Sequence, residues 1–288
     1  MSIEGIWLPI ITPFKNDTID FKAYKNLIDY YIRKGIYGLI PMGTTGESPT
    51  ISEDEYEKIL EKTMEYTNGR IPVYVGLGGN YTAKVVKQLK LVEKYKVDGI
   101  LSVSPYYNRP DQKGIYEHFK NISEATDLNI IIYNIPYRTA RNIENETIYK
   151  LSELKNIVAL KDSCGDIKQS MELLLNPPEN FSILTGDDIL LYTFMTLGAQ
   201  GGILASSHLY TEDFTQVYKE IKANDHKSAL DTWMKLYNII PLLFEEPNPC
   251  PIKYCLNKMG LISSAEVRLP LTTISKGLED KLNLALKL

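Results

Sequence analysis

The chain has 288 residues, a length that fits one large domain or two ordinary ones. Apolar residues make up 44 % and charged residues 24 %, which is the balance of a globular protein with a buried core. The net charge of −4, with both signs spread along the sequence, argues against nucleic acid as a main partner, because phosphate binding needs a clustered basic face.

Membrane and export signals are missing from the sequence pattern. No run approaches the roughly 18 apolar residues of a membrane span, and residues 1–5 lack the basic start of a signal peptide. The three cysteines form no CxxC pair and no even framework; they are Cys164, Cys250 and Cys255. This usage predicts a reducing, cytoplasmic location.

The three histidines bear on whether the chain binds a metal ion. Only three occur, far apart and in no metal-ligand spacing: His118, His208 and His226. We therefore expect any carbonyl chemistry in this chain to run without a transition metal.

Short apolar segments alternate with amphipathic ones along the first two hundred residues. Eight segments are predicted as strands, at residues 5–12, 38–42, 73–76, 99–103, 129–133, 157–161, 182–185 and 201–205. Pro9 leaves the span of the first one open, since proline is disfavoured inside a central strand. Seven helices are predicted between them, at residues 21–34, from a capping box at 52–55, and at 82–95, 114–126, 145–154, 167–175 and 189–197.

Strands and helices in this alternation imply βαβ units and a parallel sheet. Eight such units predict an α/β fold, a (β/α)₈ TIM barrel, with residues 1–207 as the catalytic domain. The remaining residues, 208–288, predict a C-terminal helical region that includes the last barrel helix. Its helices are expected at 210–223, 227–243, 249–259 and 272–288. The region is interpreted as an appendage packed on the barrel, with an assembly surface as the alternative.

Lys161 is the residue around which the predicted site is organised. It follows the apolar run at residues 157–160, and lysine is rarely buried without a partner. One interpretation is structural: the amine reaches water or pairs with a carboxylate such as Asp162. The other is chemical: a desolvated amine loses its proton near neutral pH and attacks a carbonyl to form a Schiff base.

Other strand ends carry polar or small residues that would meet at the same mouth. The turn at residues 43–48 contains Thr44 and Thr45 between glycines, where backbone N–H groups can bind a substrate carboxylate. Tyr133 ends the fifth strand, and a phenol beside an amine can relay protons; with 20 tyrosines in the chain, a packed aromatic is the alternative. Arg138 is a candidate carboxylate clamp. The seventh strand ends in the segment 185–188, and the glycines of the segment 201–203 leave room for a ligand near the backbone.

Three motifs in this order resemble the dihydrodipicolinate synthase / N-acetylneuraminate lyase family. They are Gly43-Thr44-Thr45-Gly46-Glu47, Tyr133-Asn134-Ile135-Pro136 with Arg138-Thr139, and Lys161-Asp162. The resemblance runs from residue 5 into the C-terminal helices. It implies a pyruvate-dependent class I aldolase on a (β/α)₈ barrel. It further implies a lyase that condenses pyruvate with L-aspartate 4-semialdehyde, the first committed step of the diaminopimelate and lysine pathway.

The resemblance also implies a role for each site residue. Lys161 would form the imine with pyruvate, which replaces any cofactor. Thr45, Tyr133 and Tyr107 would form the proton relay, with Thr44 in the same network. Substrate binding would fall to Thr45, Arg138, Gly186 and Ile203. Tyr107 would come from the neighbouring subunit of a homotetramer built as a dimer of dimers.

Feedback inhibition by lysine is expected to be weak or absent. In inhibited bacterial members of the family, the pocket at the dimer interface has histidines and an acidic residue, where this chain has Glu53, Tyr56 and Lys84. Lys84 would put a positive charge where the ammonium group of lysine needs a negative one. Three other positions of that pocket still match: Ser48, Asn80 and Tyr106.

Two alternatives to this function stay open from the residues. One is a sister pyruvate aldolase acting on a sugar aldehyde, against which Arg138 speaks because the sialic-acid lyase branch lacks an arginine there. The other is a catalytically silent barrel used for binding or regulation. The intact set of Lys161, Tyr133, Thr44, Thr45 and Tyr107 argues against it.

Overall fold

The structure is a computed structural model that describes residues 3–287. Within that range, eight parallel strands form one sheet in the order β4-β1-β10-β9-β8-β7-β6-β5, and β2 and β3 form a small antiparallel hairpin. The strands are β1 Gly5–Leu8, β2 Phe14–Lys15, β3 Thr18–Ile19, β4 Gly38–Leu39, β5 Tyr74–Gly76, β6 Gly99–Val103, β7 Asn129–Asn134, β8 Ile157–Asp162, β9 Ser182–Thr185 and β10 Gly201–Ile203.

Helices alternate with these strands and then continue without strands to the end of the chain. Up to β10 they are α1 Phe21–Arg33, α2 Glu53–Thr67, α3 Thr82–Val92, α4 Gln112–Glu124, α5 Pro136–Thr139, α6 Asn145–Ser152, α7 Ile167–Leu175 and α8 Leu191–Thr196. After β10 they are α9 Thr211–Lys222, α10 His226–Tyr237, α11 Ile240–Leu243, α12 Cys250–Lys258 and α13 Lys276–Leu286. No helix in residues 3–287 is long and apolar enough to cross a membrane.

The eight predicted strands of the parallel sheet are confirmed in their predicted order, with different spans at several ends. The hairpin of β2 and β3 and the short helix α5 are additional to the predicted elements. The capping box predicted at residues 52–55 is present: Ser52 accepts from the Glu55 N–H, and the Glu55 carboxylate accepts from the Ser52 N–H. The first strand ends at Leu8, directly before Pro9. The helix predicted at 227–243 is instead two helices, because Pro241 cannot continue α10 and lies in the first turn of α11. The last predicted helix begins at Lys276, and residue 288 lies outside the described residues.

The chain is divided into two compact units. The first comprises the residues up to Gly5 together with Pro72–Ile203, and the second comprises Ile6–Ile71 and Leu204–Leu288. The first unit holds strands β5 to β10, whose central members β7 and β8 are almost continuously buried and apolar. Such strands are typical of a parallel sheet covered on both faces. The domain boundary predicted at residue 207 stays a prediction.

Candidate active site

Lys161 lies near the carboxyl end of β8 and is buried, with 6 % of its surface exposed. In the parallel pairing of β7 with β8, Lys161 is opposite Tyr133. The Lys161 Nζ atom lies 4.1 Å from the centroid of the Tyr133 ring, a cation–π distance. Burial lowers the pKa of Lys161 from its usual value near 10.5 to about 8. A substantial minority of the amine is therefore neutral at physiological pH.

Two charged residues adjust this pKa in opposite directions. The carboxylate of Asp188 raises the pKa of Lys161, and the guanidinium of Arg138 lowers it. Both effects are smaller than that of burial. Asp188 is itself buried at the start of a short 3₁₀ turn, Asp188–Leu190, after β9. The sequence pattern places Asp188 in the segment 185–188 but predicts no role for it, since only the fold brings its charge to Lys161.

Gly186 provides the space that the Lys161 side chain occupies. A Cβ atom at position 186 would lie 2.4 Å from Ser163 Oγ and 2.6 Å from Lys161 Cε, distances that real Cβ atoms essentially never show. The Gly186 N–H donates to the Asp162 carbonyl at 2.7 Å, which fixes the backbone of this glycine against the end of β8. Ile203, the last residue of β10, is fully buried in the same unit.

The phenol of Tyr133 is held in its protonated form. Burial raises its pKa well above the usual value near 10, and the charge of Asp188 adds to the effect, while Ser163 and Arg138 lower it. A phenol that keeps its proton at neutral pH can donate it to a developing oxyanion or hydroxyl leaving group and then recover it. Tyr133 therefore keeps its phenol proton at neutral pH, with its ring against the Lys161 amine.

Arg138 lies on the short helix α5 and its side chain is exposed. Its guanidinium contacts the Tyr137 ring at 5.2 Å, and its Nε–H donates to the Tyr137 hydroxyl at 3.2 Å. The Thr139 hydroxyl donates to carbonyls at both ends of this turn, those of Ile135 and Arg141. The guanidinium is thus presented to solvent from a braced turn, as a carboxylate clamp requires.

Tyr107 is 88 % exposed, in the loop after β6. Its backbone has a φ of +73°, a left-handed conformation that is unfavourable for a bulky residue. The next residue, Asn108, anchors the loop by donating to the Asn80 carbonyl at 2.9 Å. Among the described residues the Tyr107 side chain makes no hydrogen bond, so a relay role for it within one chain has no support here.

Thr44 and Thr45 belong to the second unit, in a tight turn after β4. The Gly46 and Ser48 N–H groups donate to the Gly43 carbonyl, and that of Glu47 donates to the Thr44 carbonyl. Within residues 3–287 the N–H groups of Thr44 and Thr45 donate to no acceptor. Gly46 is needed here because a Cβ would lie 2.9 Å from the Met42 nitrogen. These two adjacent N–H groups are therefore available to a bound anion such as a carboxylate.

The predicted site residues therefore fall into three groups. Lys161, Tyr133, Arg138 and Gly186 act on one another in the first unit, through the contacts and charges described above. Thr44 and Thr45 lie in the second unit, in the turn whose two N–H groups have no acceptor within residues 3–287. Tyr107 stands exposed on its loop.

The α/β fold with eight parallel strands is that of a (β/α)₈ barrel enzyme, and here a buried lysine lies at the end of one strand. The chain belongs to the dihydrodipicolinate synthetase family, to which residues 2–288 match. It is 59 % identical over 283 residues to 4-hydroxy-tetrahydrodipicolinate synthase 2 of Clostridium acetobutylicum, covering 98 % of this chain and 99 % of the relative.

Solved structures extend this relationship to the fold. The dihydrodipicolinate synthase of Thermotoga maritima superposes with a TM-score of 0.96 at 38 % identity, covering 100 % of this chain and 98 % of that one. The chloride-inhibited dihydrodipicolinate synthase of Acinetobacter baumannii, complexed with pyruvate, gives a TM-score of 0.96 at 34 % identity, over 99 % of this chain and 98 % of the other. The predicted family and the predicted (β/α)₈ fold are thereby confirmed.

Proposed function

We propose that this chain is a lyase, a 4-hydroxy-tetrahydrodipicolinate synthase, which condenses pyruvate with L-aspartate 4-semialdehyde through an imine on Lys161. The observation that carries the proposal is the buried Lys161 amine, with its pKa lowered to about 8, against the Tyr133 phenol. Membership of the family and the 59 % identity to a relative of that name support the choice of reaction.

The first half of the reaction makes pyruvate a nucleophile. The neutral Lys161 amine attacks the keto carbon of pyruvate, and the carbinolamine loses water to give the imine. The protonated imine then accepts electrons from the methyl group as it loses a proton, which gives the enamine. Tyr133 is the group beside the amine that can deliver and take back these protons. No resident cofactor is needed for these steps.

The second half joins the two substrates and frees the lysine. The enamine carbon attacks the aldehyde carbon of the semialdehyde, forming the new C–C bond and a hydroxyl group. The amino group of the condensed product then attacks the imine carbon, and the Lys161 amine leaves as the ring closes. One water molecule is released in the whole sequence. Arg138, exposed on its braced turn, would bind the carboxylate of the semialdehyde.

Trapping of the imine tests nucleophile and substrate together. The enzyme is incubated with pyruvate, reduced with borohydride and mapped by peptide mass, while a parallel sample is assayed with L-aspartate 4-semialdehyde through a coupled reductase. We expect the label on Lys161 and turnover, and near-complete loss of activity in Lys161→Ala and Lys161→Arg. Label without turnover would redirect the proposal to another aldehyde, such as a sugar aldehyde. If there is no label and no turnover, the remaining interpretation is a catalytically silent barrel.

The assembly and the location of the enzyme are part of the same proposal. A homotetramer built as a dimer of dimers would let the exposed Tyr107 reach the site of a neighbouring copy. The cysteine usage fits a cytoplasmic enzyme, and the three thiols are free and buried.

Weak feedback by lysine is the regulatory part of the proposal. Lys84 is exposed on α3, where its charge would repel the ammonium group of the effector. Rates measured from micromolar to millimolar lysine should stay near the uninhibited value. Strong inhibition below about 1 mM, an affinity worth roughly 4 kcal/mol or more, would contradict it.

A further inference from the structure

Amide side chains close the base of the loop that carries Arg138. The fully buried Asn134 ends β7, and its Oδ1 accepts from the Ile143 N–H at 3.1 Å. Its Nδ2 donates to Asn142 Oδ1 at 2.8 Å and to the Ile143 carbonyl at 3.3 Å. The chain thus leaves β7 at residue 134 and returns to the same side chain at residues 142 and 143. Residues 135–141, which include α5, form a loop that is tied to β7 at both ends.

Helix α7 is joined to the same base, within the same compact unit. Gln169 Nε2 donates to the Ile143 carbonyl at 2.9 Å, and Gln169 Oε1 accepts from Asn142 Nδ2 at 2.7 Å. The Asn142 amide therefore uses its oxygen on Asn134 and its nitrogen on Gln169. Asn145 donates to the Gln169 carbonyl at 3.1 Å, and the network ends there, since Asn145 Oδ1 is buried without a partner in residues 3–287. A connected network of this kind holds one arrangement, because a missing link leaves polar groups unpaired.

The closed base sets where the Arg138 side chain begins. Helix α5 is a single turn, closed by the backbone N–H groups of residues 138–140. Because the turn is short and bonded within itself, its position depends on the base of the loop. That base belongs to β7, whose preceding residue, Tyr133, pairs with Lys161. The amide network therefore connects the backbone of Arg138 to the strand pair that carries the amine.

We propose that Asn142 is a positioning residue for the second substrate: its amide joins Asn134 to Gln169 and so holds the Arg138 turn where the guanidinium binds the carboxylate of the semialdehyde. This role rests on the proposed function, because it requires that aldehyde at Arg138. Asn142 acts through Arg138 and needs no contact with either substrate. Imine formation with pyruvate does not depend on it, since the pairing of Tyr133 with Lys161 is made by the strands themselves.

The test compares the two substrates in Asn142→Ala. This variant loses the bonds to Asn134 and Gln169 but keeps the bond from Gln112 Nε2 to the main-chain carbonyl of residue 142, at 2.9 Å. We expect KM for L-aspartate 4-semialdehyde to rise about tenfold at saturating pyruvate, with kcat nearly unchanged, because a looser turn misplaces the guanidinium. The pyruvate concentration that half-saturates borohydride trapping on Lys161 should stay within about twofold of wild type. Trapping is measured at about pH 9, where most of the amine is neutral.

A double-mutant cycle separates positioning from general support of the fold. Arg138→Gln removes the clamp, so adding Asn142→Ala to it should raise KM for the semialdehyde no further. Independent effects would instead multiply. The matched control is Asn176→Ala, at the other end of α7, which removes an amide bond to the Glu172 carbonyl at 3.0 Å. It should leave the values for both substrates unchanged.

The outcomes distinguish this role from the proposed function. No trapping on Lys161 in the wild-type enzyme, or trapping without turnover of the semialdehyde, would overturn both. With normal wild-type trapping and turnover, the role of Asn142 alone would be overturned by an unchanged KM for the semialdehyde in Asn142→Ala, by multiplicative effects in the cycle, or by an equal loss for pyruvate. If thermal unfolding shows that the alanine variant is unstable, Gln169→Ala, at a half-buried position, replaces it with the same expected rise in KM, and no rise there would also overturn the role.

Discussion

At the scale of single residues, the reactivity of Lys161 is a balance between burial and two opposed charges. With a pKa of about 8, roughly a fifth of the amine is neutral at pH 7.4, against about one part in a thousand for an ordinary lysine. That difference is a factor of about two hundred in available nucleophile. The carboxylate of Asp188 keeps the pKa from falling further, and Arg138 opposes it.

The pH dependence of imine formation should therefore follow this balance. The trapping rate at saturating pyruvate should rise with pH and level off above about 8. Asp188→Asn removes a charge that raises the pKa, so its midpoint should move to lower pH. Arg138→Gln removes a charge that lowers the pKa, so its midpoint should move to higher pH. Stopped reactions from about pH 6 to 10 give the three midpoints, and shifts of the same sign in both variants would contradict the assignment.

The second residue-scale prediction concerns the space at Gly186. Gly186→Ala would force Lys161 Cε and Ser163 Oγ away from the new Cβ, and a displaced amine loses its placement over Tyr133. We expect imine trapping to fall by a factor of about ten or more, since about 1 Å of misplacement costs about a hundredfold. Gly277→Ala is the matched control, because a Cβ there meets nothing nearer than 3.9 Å and lies in a helix. Equal trapping rates in the two variants would show that the space at Gly186 is unimportant.

At the scale of helices and strands, the pattern of apolar and polar residues predicted the elements whose bounds depend on neighbouring residues in the sequence. The spans Gly99–Val103, Ser182–Thr185 and Ile167–Leu175 are those expected from the sequence. The pairing of Tyr133 with Lys161 could also be predicted from the sequence, because both residues lie at the ends of neighbouring parallel strands. The effect of the Asp188 charge on Lys161 and the hydrogen bond from Asn248 to Thr45 could not be predicted from the sequence. Both arise only when segments that are distant in the chain pack together.

Helix α2 is joined to the C-terminal segment by Arg268, and this contact has a defined pH dependence. The Arg268 guanidinium donates to both oxygens of Glu55, and this bonding lowers the pKa of Glu55 from 4.5 to about 2. A carboxyl group with a lowered folded-state pKa contributes stability above its unfolded pKa. That contribution is lost as the pH falls from about 4.5 towards 2. Solvent screening at this partly exposed pair limits it to about 1 kcal/mol.

Glu55→Gln should therefore lower the unfolding temperature at pH 7 by about 2 °C. The variant keeps the capping box, because glutamine also serves at this position. The difference from wild type should shrink as the pH is lowered from about 5 to 3. Glu61→Gln, at an exposed position of the same helix 3.6 Å from Lys62, should show no such convergence. A difference that persists unchanged at about pH 3 would mean that charge is not its cause.

At the scale of the whole molecule, the loop that carries Tyr107 points to assembly. A bulky residue held at a φ of +73° costs about 1–2 kcal/mol, and here the aromatic side chain is left almost wholly in solvent. Neither feature stabilises the single chain, so the conformation is best explained by a use outside it. The proposed dimer provides that use, since an isologous pair would exchange the two Tyr107 side chains symmetrically.

Complementation between two defective variants tests this exchange. Lys161→Ala lacks the nucleophile and Tyr107→Phe lacks the relay hydroxyl, so each should be nearly inactive alone. If Tyr107 acts across the interface, a mixed dimer has one complete site, in which Lys161 of the Tyr107→Phe chain meets a normal tyrosine from its partner. Random mixing makes half of the dimers mixed, so about a quarter of wild-type activity should return after the variants are dissociated and reassembled together. If Tyr107 serves its own chain, every mixed dimer has one site without lysine and one without the hydroxyl, and activity should stay at the mean of the two variants.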